Sequence, residues 1–433
     1  MKLGRFLSPW MLAVLALAAC SSTPEASIGL TTGEEGDAFS RSPAPTQLIV
    51  EAIGLDNVAT EIARTSLPTE TLSLGDRGRT DVAALRVSAK DAAGTTLLRG
   101  ESLFFQYGAL EDAAFEVFVQ RTGELARLPR TPAALDSPVA VVSLQRYILL
   151  ASGSTAFLYD LLLLKTLGMS PTFKRSARSI VTYESVAYVI DEQGATTIDL
   201  TNDVSVENDV PSGGTFADVA GGATIQADDG SSYVVGGTRA TGDATTRILK
   251  VGKDGKATFA NLVTPRVGAC ATWVQGRGLL VYGGSPNGPA AELLATDAPS
   301  AQPLPFPPDP ITGCGASALT PQHVVITGGN AAGVIAKRPP LVFDLACAKD
   351  CAGFAWPNDL ALGRASVVTL NPEAALVVGD DANGESHAFR VSSKDQRPVP
   401  LKVPRKGAKL IALPTRGQFA IVGGASAIEQ YLE

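Results

Sequence analysis

One phrase recurs along this chain, and a recurring phrase restricts the possible folds more tightly than any composition. Its clearest copy is residues 262–284, LVTPRVGACATWVQGRGLLVYGG: a Pro-Arg lead-in, an apolar strand, a Gly-containing turn, a second apolar strand and a closing Gly283-Gly284. Other copies close at Tyr233-Val234-Val235-Gly236-Gly237, Val325-Ile326-Thr327-Gly328-Gly329, Leu376-Val377-Val378-Gly379-Asp380 and Ala420-Ile421-Val422-Gly423-Gly424. Two weaker copies end at Gly153 and Asp191, which makes seven. A unit this short cannot bury its own apolar face, so the copies must bury one another's.

From Gly236 onward the first closing glycines stand 44 to 51 residues apart. Each is followed by a polar loop and a third strand, such as Thr246-Arg247-Ile248-Leu249-Lys250-Val251, and then by a fourth marked by Phe259 or Trp356. Short apolar runs separated by turn residues, with no long segment of 3.6-residue period, define an all-β chain. Four strands per period of about 40 to 50 residues predict the blades of a β-propeller. Seven blades are expected, with six as the alternative. The paired glycines permit positive φ and close backbone approach where a strand ends. The last copy stops after Ile428-Glu429-Gln430-Tyr431-Leu432 and lacks an outer strand. Phe115–Val119 and Leu125–Leu128, which precede the first strand pair, could supply it and lock the ring.

The pattern resembles the kelch repeat of galactose-oxidase-like propellers, in which an apolar strand ends in Gly-Gly and the fourth strand carries a Trp. The likeness covers roughly residues 112 to 433 and rests on the Gly-Gly strands, Trp356 and the lead-ins Pro265-Arg266 and Pro404-Arg405. It implies that the lead-in arginines, Arg178, Arg266, Arg364 and Arg405, lie near one mouth of the central channel, where partners bind. They would then form a ring of guanidinium groups facing an anionic or carbonyl-rich ligand. The other reading is that each Arg ties adjacent blades together through loop carbonyls.

Upstream of the repeats the chain divides into three. Residues 1–19 read as a signal peptide: Lys2 and Arg5 precede an apolar core, Trp10 to Ala16, too short to span a membrane as a permanent helix. Leu17-Ala18-Ala19-Cys20 resembles the bacterial lipobox, in which the Cys is acylated and becomes the mature N-terminus. Several acyl chains suffice for stable anchoring. Ser21, rather than Asp, follows, which points to an outer-membrane lipoprotein, periplasmic or surface-facing. Residues 20–45 are rich in Ser, Thr, Gly and Pro and predict a flexible tether. Residues 46–110 predict a small β-sandwich, with strands at Gln47–Ala52, Thr71–Leu74, Ala84–Ala89 and Glu101–Phe105. The propeller would occupy 111–433.

Charge and side-chain inventory narrow the function. The net charge is −7 and the 36 Lys and Arg are dispersed, which disfavours nucleic acid as a partner. Four cysteines remain after Cys20, an even number in an exported chain. Cys347 and Cys351 are expected to staple one loop. Cys270 and Cys314 hold nearly the same register in consecutive first strands, which neighbour one another along a propeller channel, so a bridge between blades is expected. Only two histidines are present, His323 and His387, and neither has a sequence partner at metal-ligand spacing. Asp380 to Glu385 could be a calcium loop but reads better as ordinary Asn-Gly turn chemistry. No metal, cofactor or catalytic residue is expected. These features predict a non-enzymatic, membrane-anchored scaffold that binds a protein or glycan in the cell envelope. The alternatives are an envelope hydrolase or lyase using carboxylates such as Asp218 or Asp228, or a purely structural component.

Overall fold

The structure, a computed structural model, describes residues 28–69, 80–110, 115–136, 138–168, 172–200, 207–209, 214–239 and 241–433. The expected signal peptide, Cys20 and the strand Thr71–Leu74 lie outside these residues. Among the described residues, seven four-stranded sheets follow one another from residue 139 to residue 432. Their first strands are Val139–Ser143, Ser179–Tyr183, Ala223–Gln226, Cys270–Val274, Gly315–Ala318, Gly363–Asn371 and Lys409–Ala412. Each touches the next, and the last touches the first, so these are the inner strands of a closed ring. The chain is an all-β propeller, and its sheets are blades 1 to 7.

The core lies between the blades. Alternate side chains of each second strand point to opposite neighbours. Val281 packs with Tyr233 and Val235 of blade 3, whereas Leu280 and Tyr282 pack with Val324 and Ile326 of blade 5. The same division recurs round to the junction of blades 7 and 1, where Ala420 and Val422 meet Ile148 and Leu150. Every second strand is thus hydrogen-bonded on both edges and covered on both faces, which is why Gly278–Tyr282 and Gln418–Val422 are buried throughout. Directly after Tyr282 there is no room for a side chain. A Cβ at Gly283, whose φ is 72°, would collide with the Ile311 carbonyl.

The ring closes with a strand borrowed from its N-terminal side. Leu125–Arg127 is the outer strand of blade 7, antiparallel to Glu429–Leu432 with Tyr431 opposite Leu125. Of the two stretches expected to serve here, Leu125–Leu128 does so and Phe115–Val119 does not. Phe115–Phe118 instead pairs in parallel with Ile28–Thr31.

That pairing corrects two boundaries. Residues 28–45 are not a free tether: Ile28 and Ala38 are buried in the core of the N-terminal module, and Leu30 and Phe39 pack against it. A few apolar residues in a polar stretch were enough to dock it. The module's main sheet runs Ala59–Ser66, Gln47–Ile53, Val82–Lys90, Thr96–Glu101, Gln120–Arg121, with Phe105–Gln106 also on the Val82 strand. Its opposing layer is the short Ile28–Thr31/Phe115–Phe118 ladder. A module confined to 46–110 would have had one layer only, and a sheet needs a second layer to bury its face. The module therefore extends from residue 28 to residue 121. Ion pairs fasten it and its leading segment to the ring: Arg127 to Glu35 at 2.9 Å, Arg41 to Glu124 at 2.6 Å and Lys402 to Glu35 at 3.8 Å. No helix among the described residues is long and apolar enough to cross a membrane.

Candidate functional site

Antiparallel order places the starts of the inner strands and the turns after the second strands on one face of the ring. All four lead-in arginines are on this face, but they divide into two kinds. Arg266 ends the outer strand of blade 3 and is wholly buried against blade 4. Its guanidinium donates to Glu292 at 2.9 and 3.2 Å, to the carbonyls of Pro289 at 2.7 Å and Ala290 at 3.3 Å, and to that of Gly283. Glu292 completes its own set by accepting from the backbone N–H of Val263 and Thr264 at 2.6 and 3.1 Å. Arg405 repeats the arrangement against blade 7. It donates to Glu429 at 2.6 Å and to the Gly423, Ala427 and Ile421 carbonyls, while Glu429 accepts from Lys402 and Val403. Burial pulls the Arg405 pKa down and Glu429 counters it. The expected ligand-binding role of Arg266 and Arg405 is therefore corrected: their side chains are 0% exposed and every partner is internal. They tie one blade to the next.

Arg178 and Arg364 are different. Their side chains are 53% and 56% exposed, and each has one carboxylate partner, Glu192 at 3.1 Å and Asp380 at 2.7 Å. The offset to the closing residue separates the two kinds. Arg266 and Arg405 stand 17 and 18 residues ahead of theirs, Arg364 and Arg178 only 15 and 13. The four do not form a single ring.

The channel mouth is edged by backbone. Gly268 donates to the Gly236 carbonyl at 3.0 Å, Gly313 to Gly268 at 2.7 Å and Ala365 to Gly313 at 2.9 Å, passing from blade 3 to blade 6. Between blades 6 and 7 the carboxylate of Asp380 takes over. Its Oδ1 accepts from the Gly407 N–H at 3.0 Å and from Ser386 Oγ at 2.6 Å, and Oδ2 meets Arg364. Ser386 Oγ accepts in turn from Ala408 N–H at 3.1 Å. Asp380→Ala is expected to lower the unfolding free energy by about 2 kcal/mol, because it strands two buried donors; urea denaturation of the full chain measures it.

The stretch Asp380 to Glu385 is not one oxygen cage. Asp380 faces blade 7, while Asp381 Oδ1 caps the turn, accepting from Asn383 and Glu385 N–H at 2.8 and 2.9 Å. The structure does bring His387 Nε2 to 3.2 Å from Asp381 Oδ2, with Glu385 alongside; the ligand atoms of all three lie within 4.8 Å of one another. Sequence spacing had offered His387 no such partner. The Asp381 carboxyl is held below the usual range, first by the Glu385 N–H and more weakly by His387. His323 bonds Thr320 Oγ1 at 3.2 Å at the head of its strand. Asp218, a candidate acid or base, is paired with Arg239 at 3.1 Å and Arg247 at 3.9 Å. Asp228 is exposed on a turn.

Beside this cluster lies a groove of about 560 Å³ between the outer half of blade 6 and the connector to blade 7. Phe389, Val399, Leu401 and Pro400 line it together with Glu385, His387 and Lys406. Sequence reasoning missed it, since its walls come from strands that only folding brings together.

Both expected disulfides are present. Cys270–Cys314 joins blades 4 and 5 beside the channel, and Cys347–Cys351 closes a loop in blade 5.

No known protein family matches the sequence, and no curated protein does. Among solved structures the chain is similar to the N-terminal domain of Nup159, with 12% identity, 72% of this chain and 94% of that one covered, and a TM-score of 0.40. It is also similar to a chain of the mitotic checkpoint complex, with 8% identity, coverage of 72% and 95%, and a TM-score of 0.44. Likenesses this distant carry no argument about what this chain does. The propeller rests on its own sheet order.

Proposed function

We propose that this protein is a kelch-like propeller lipoprotein, anchored through an acylated Cys20 in the outer membrane of a bacterial cell envelope, that holds a protein partner and catalyses no reaction. The observation that carries the binding role is the groove between blades 6 and 7, whose lining combines Phe389, Val399 and Leu401 with Glu385, His387 and Lys406. Interface hot spots have this form: a desolvated apolar centre inside a polar rim. Two features favour a polypeptide over a glycan. Leu401, Phe389 and Val399 offer apolar surface rather than paired hydroxyl-binding groups, and Pro398, Pro400 and Pro404 bring rings but no backbone N–H donors. The anchor is supported by Leu17-Ala18-Ala19-Cys20 behind a short apolar core.

A photo-reactive residue in place of Pro400 tests the reading in intact envelopes. A discrete protein adduct is expected, and it should disappear when Phe389 is changed to Asp. Labelling of glycan alone, or no adduct at all, overturns the protein-binding role. Turnover of envelope polysaccharide by the purified chain, abolished by Asp218→Asn, would replace it with the enzymatic one. Radiolabelled acyl chains incorporated into the wild type but not into Cys20→Ala test the anchor separately.

A further inference from the structure

The seven inner strands contain only two charged residues, and both are cations on adjacent blades. Arg364 lies in Gly363–Asn371 of blade 6 and Lys409 opens Lys409–Ala412 of blade 7. The two strands are fixed side by side where the Leu410 N–H donates to Ser366 Oγ at 3.0 Å. In a protein of net charge −7 this is a local excess of positive charge at the channel wall.

That excess is only half neutralised from within, by a single carboxylate. Asp380 is buried and meets Arg364, but its oxygens already serve Gly407, Ser386 and that one guanidinium. The Lys409 side chain makes no hydrogen bond or ion pair among the described residues, and that of Arg364 has none besides Asp380. Lys409 is solvent-exposed, yet surrounding protein and then the charge of Arg364 push its pKa below the lysine range, with Asp380 acting the other way. A side chain exposed at the channel wall yet crowded by protein lies where low-dielectric walls focus the field.

The backbone at Arg364 gives a second, independent sign. Two residues before the regular pairing of the inner strand begins, blades 3, 4, 5 and 7 have Gly221, Gly268, Gly313 and Gly407, with φ between 61° and 75°. Blade 6 has Arg364 there, at φ 46°. A residue with a Cβ is strained in that conformation, and strain of this kind collects where a side chain is needed.

We propose that the channel mouth binds an oxyanion, a carboxylate or phosphate group, between Arg364 and Lys409. The guanidinium keeps one edge on Asp380 and offers its remaining N–H groups to the ligand, while the ammonium adds a point charge from the adjoining strand. The group comes either from a free small anion or from an acidic side chain of a macromolecule. This site does not depend on the groove or on what fills it.

Calorimetric titration of the full chain at low salt, with inorganic phosphate and separately with a glutamate-rich peptide, tests the proposal. One-to-one saturation by at least one probe is expected, weakened about tenfold or more by Arg364→Gly and by Lys409→Met, the loss of one charge-assisted bond. Tighter binding of the peptide identifies a macromolecular source; tighter binding of phosphate identifies a free anion. Arg364→Gly installs the residue used by four other blades, so its thermal unfolding should stay within a few degrees of wild type. Lys349→Met, on the exposed Cys347–Cys351 loop, should bind like wild type. Failure of both probes to saturate overturns the site. So does unchanged affinity in both mouth variants, or equal weakening by Lys349→Met. The Pro400 cross-link should survive Lys409→Met, which separates this test from that of the groove.

Discussion

Glu292→Ala is expected to destabilise the protein by about 3–5 kcal/mol, among the largest effects available to a single substitution in this chain. The reason is one-sided: Arg266 would remain charged, wholly buried and without its counter-ion. The backbone donors of Val263 and Thr264 would also lose their acceptor. Glu429→Ala should act alike through Arg405, with Lys402 and Val403 as the stranded donors. Urea denaturation of the full chain reads both. Removing both partners is a different experiment. Arg266→Met with Glu292→Leu should recover much of the loss, since apolar side chains of similar volume can replace a buried pair. Recovery should be incomplete because two N–H groups still lack a partner. Arg178→Ala, which breaks an exposed pair, should cost less than about 1 kcal/mol. A Glu292→Ala loss no larger than that would show that the Arg266 pair does not join the blades.

The second large effect belongs to the disulfide beside the channel. Cys270–Cys314 closes a loop with a sequence separation of 44, whereas Cys347–Cys351 closes one of 4. On the chain-entropy argument, removing the first as Cys270→Ala/Cys314→Ala should cost about 4 kcal/mol and the second, as Cys347→Ala/Cys351→Ala, about 2 kcal/mol. The long loop also spans the boundary of blades 4 and 5, so its loss frees two packed sheets rather than one turn. Denaturation of the two double variants side by side gives the ranking. Equal losses would mean that the bridge does not restrain the unfolded chain.

The propeller was legible because its signal repeats: an apolar strand closed by Gly-Gly can be compared with its own copies. Cys270 and Cys314 were legible for the same reason, since register within a repeat becomes position around a ring. The arginines were only half legible. Pro265-Arg266 and Pro404-Arg405 look like ligand-facing lead-ins until their partners are found on third strands, at Glu292 in Ala291–Leu294 and Glu429 in Glu429–Leu432. A carboxylate in a buried third strand, clearest at Glu292 between Ala291 and Leu293, was the overlooked sign, because such a group is buried only if paired. Lys409 was hidden by the opposite circumstance: nothing about one lysine in a surface-like stretch reveals that six other strands at its position carry no lysine. The docking of residues 28–45 was illegible since Ile28, Leu30 and Phe39 gain a surface only when Phe115–Phe118 arrives beside them.

The pairing of Leu125 with Tyr431 also sets an order of events. The stretch made early must wait, its edge groups unsatisfied, until Glu429–Leu432 arrives. Blades in between can stack as they emerge, each on its predecessor, but their assembly stays an open arc. A chain ending before Glu429 would therefore forfeit more than a terminal strand. Two sheet edges would stay bare at the gap, inviting pairing with another copy. For a molecule built in this way, closing the ring is what hides its sheet edges.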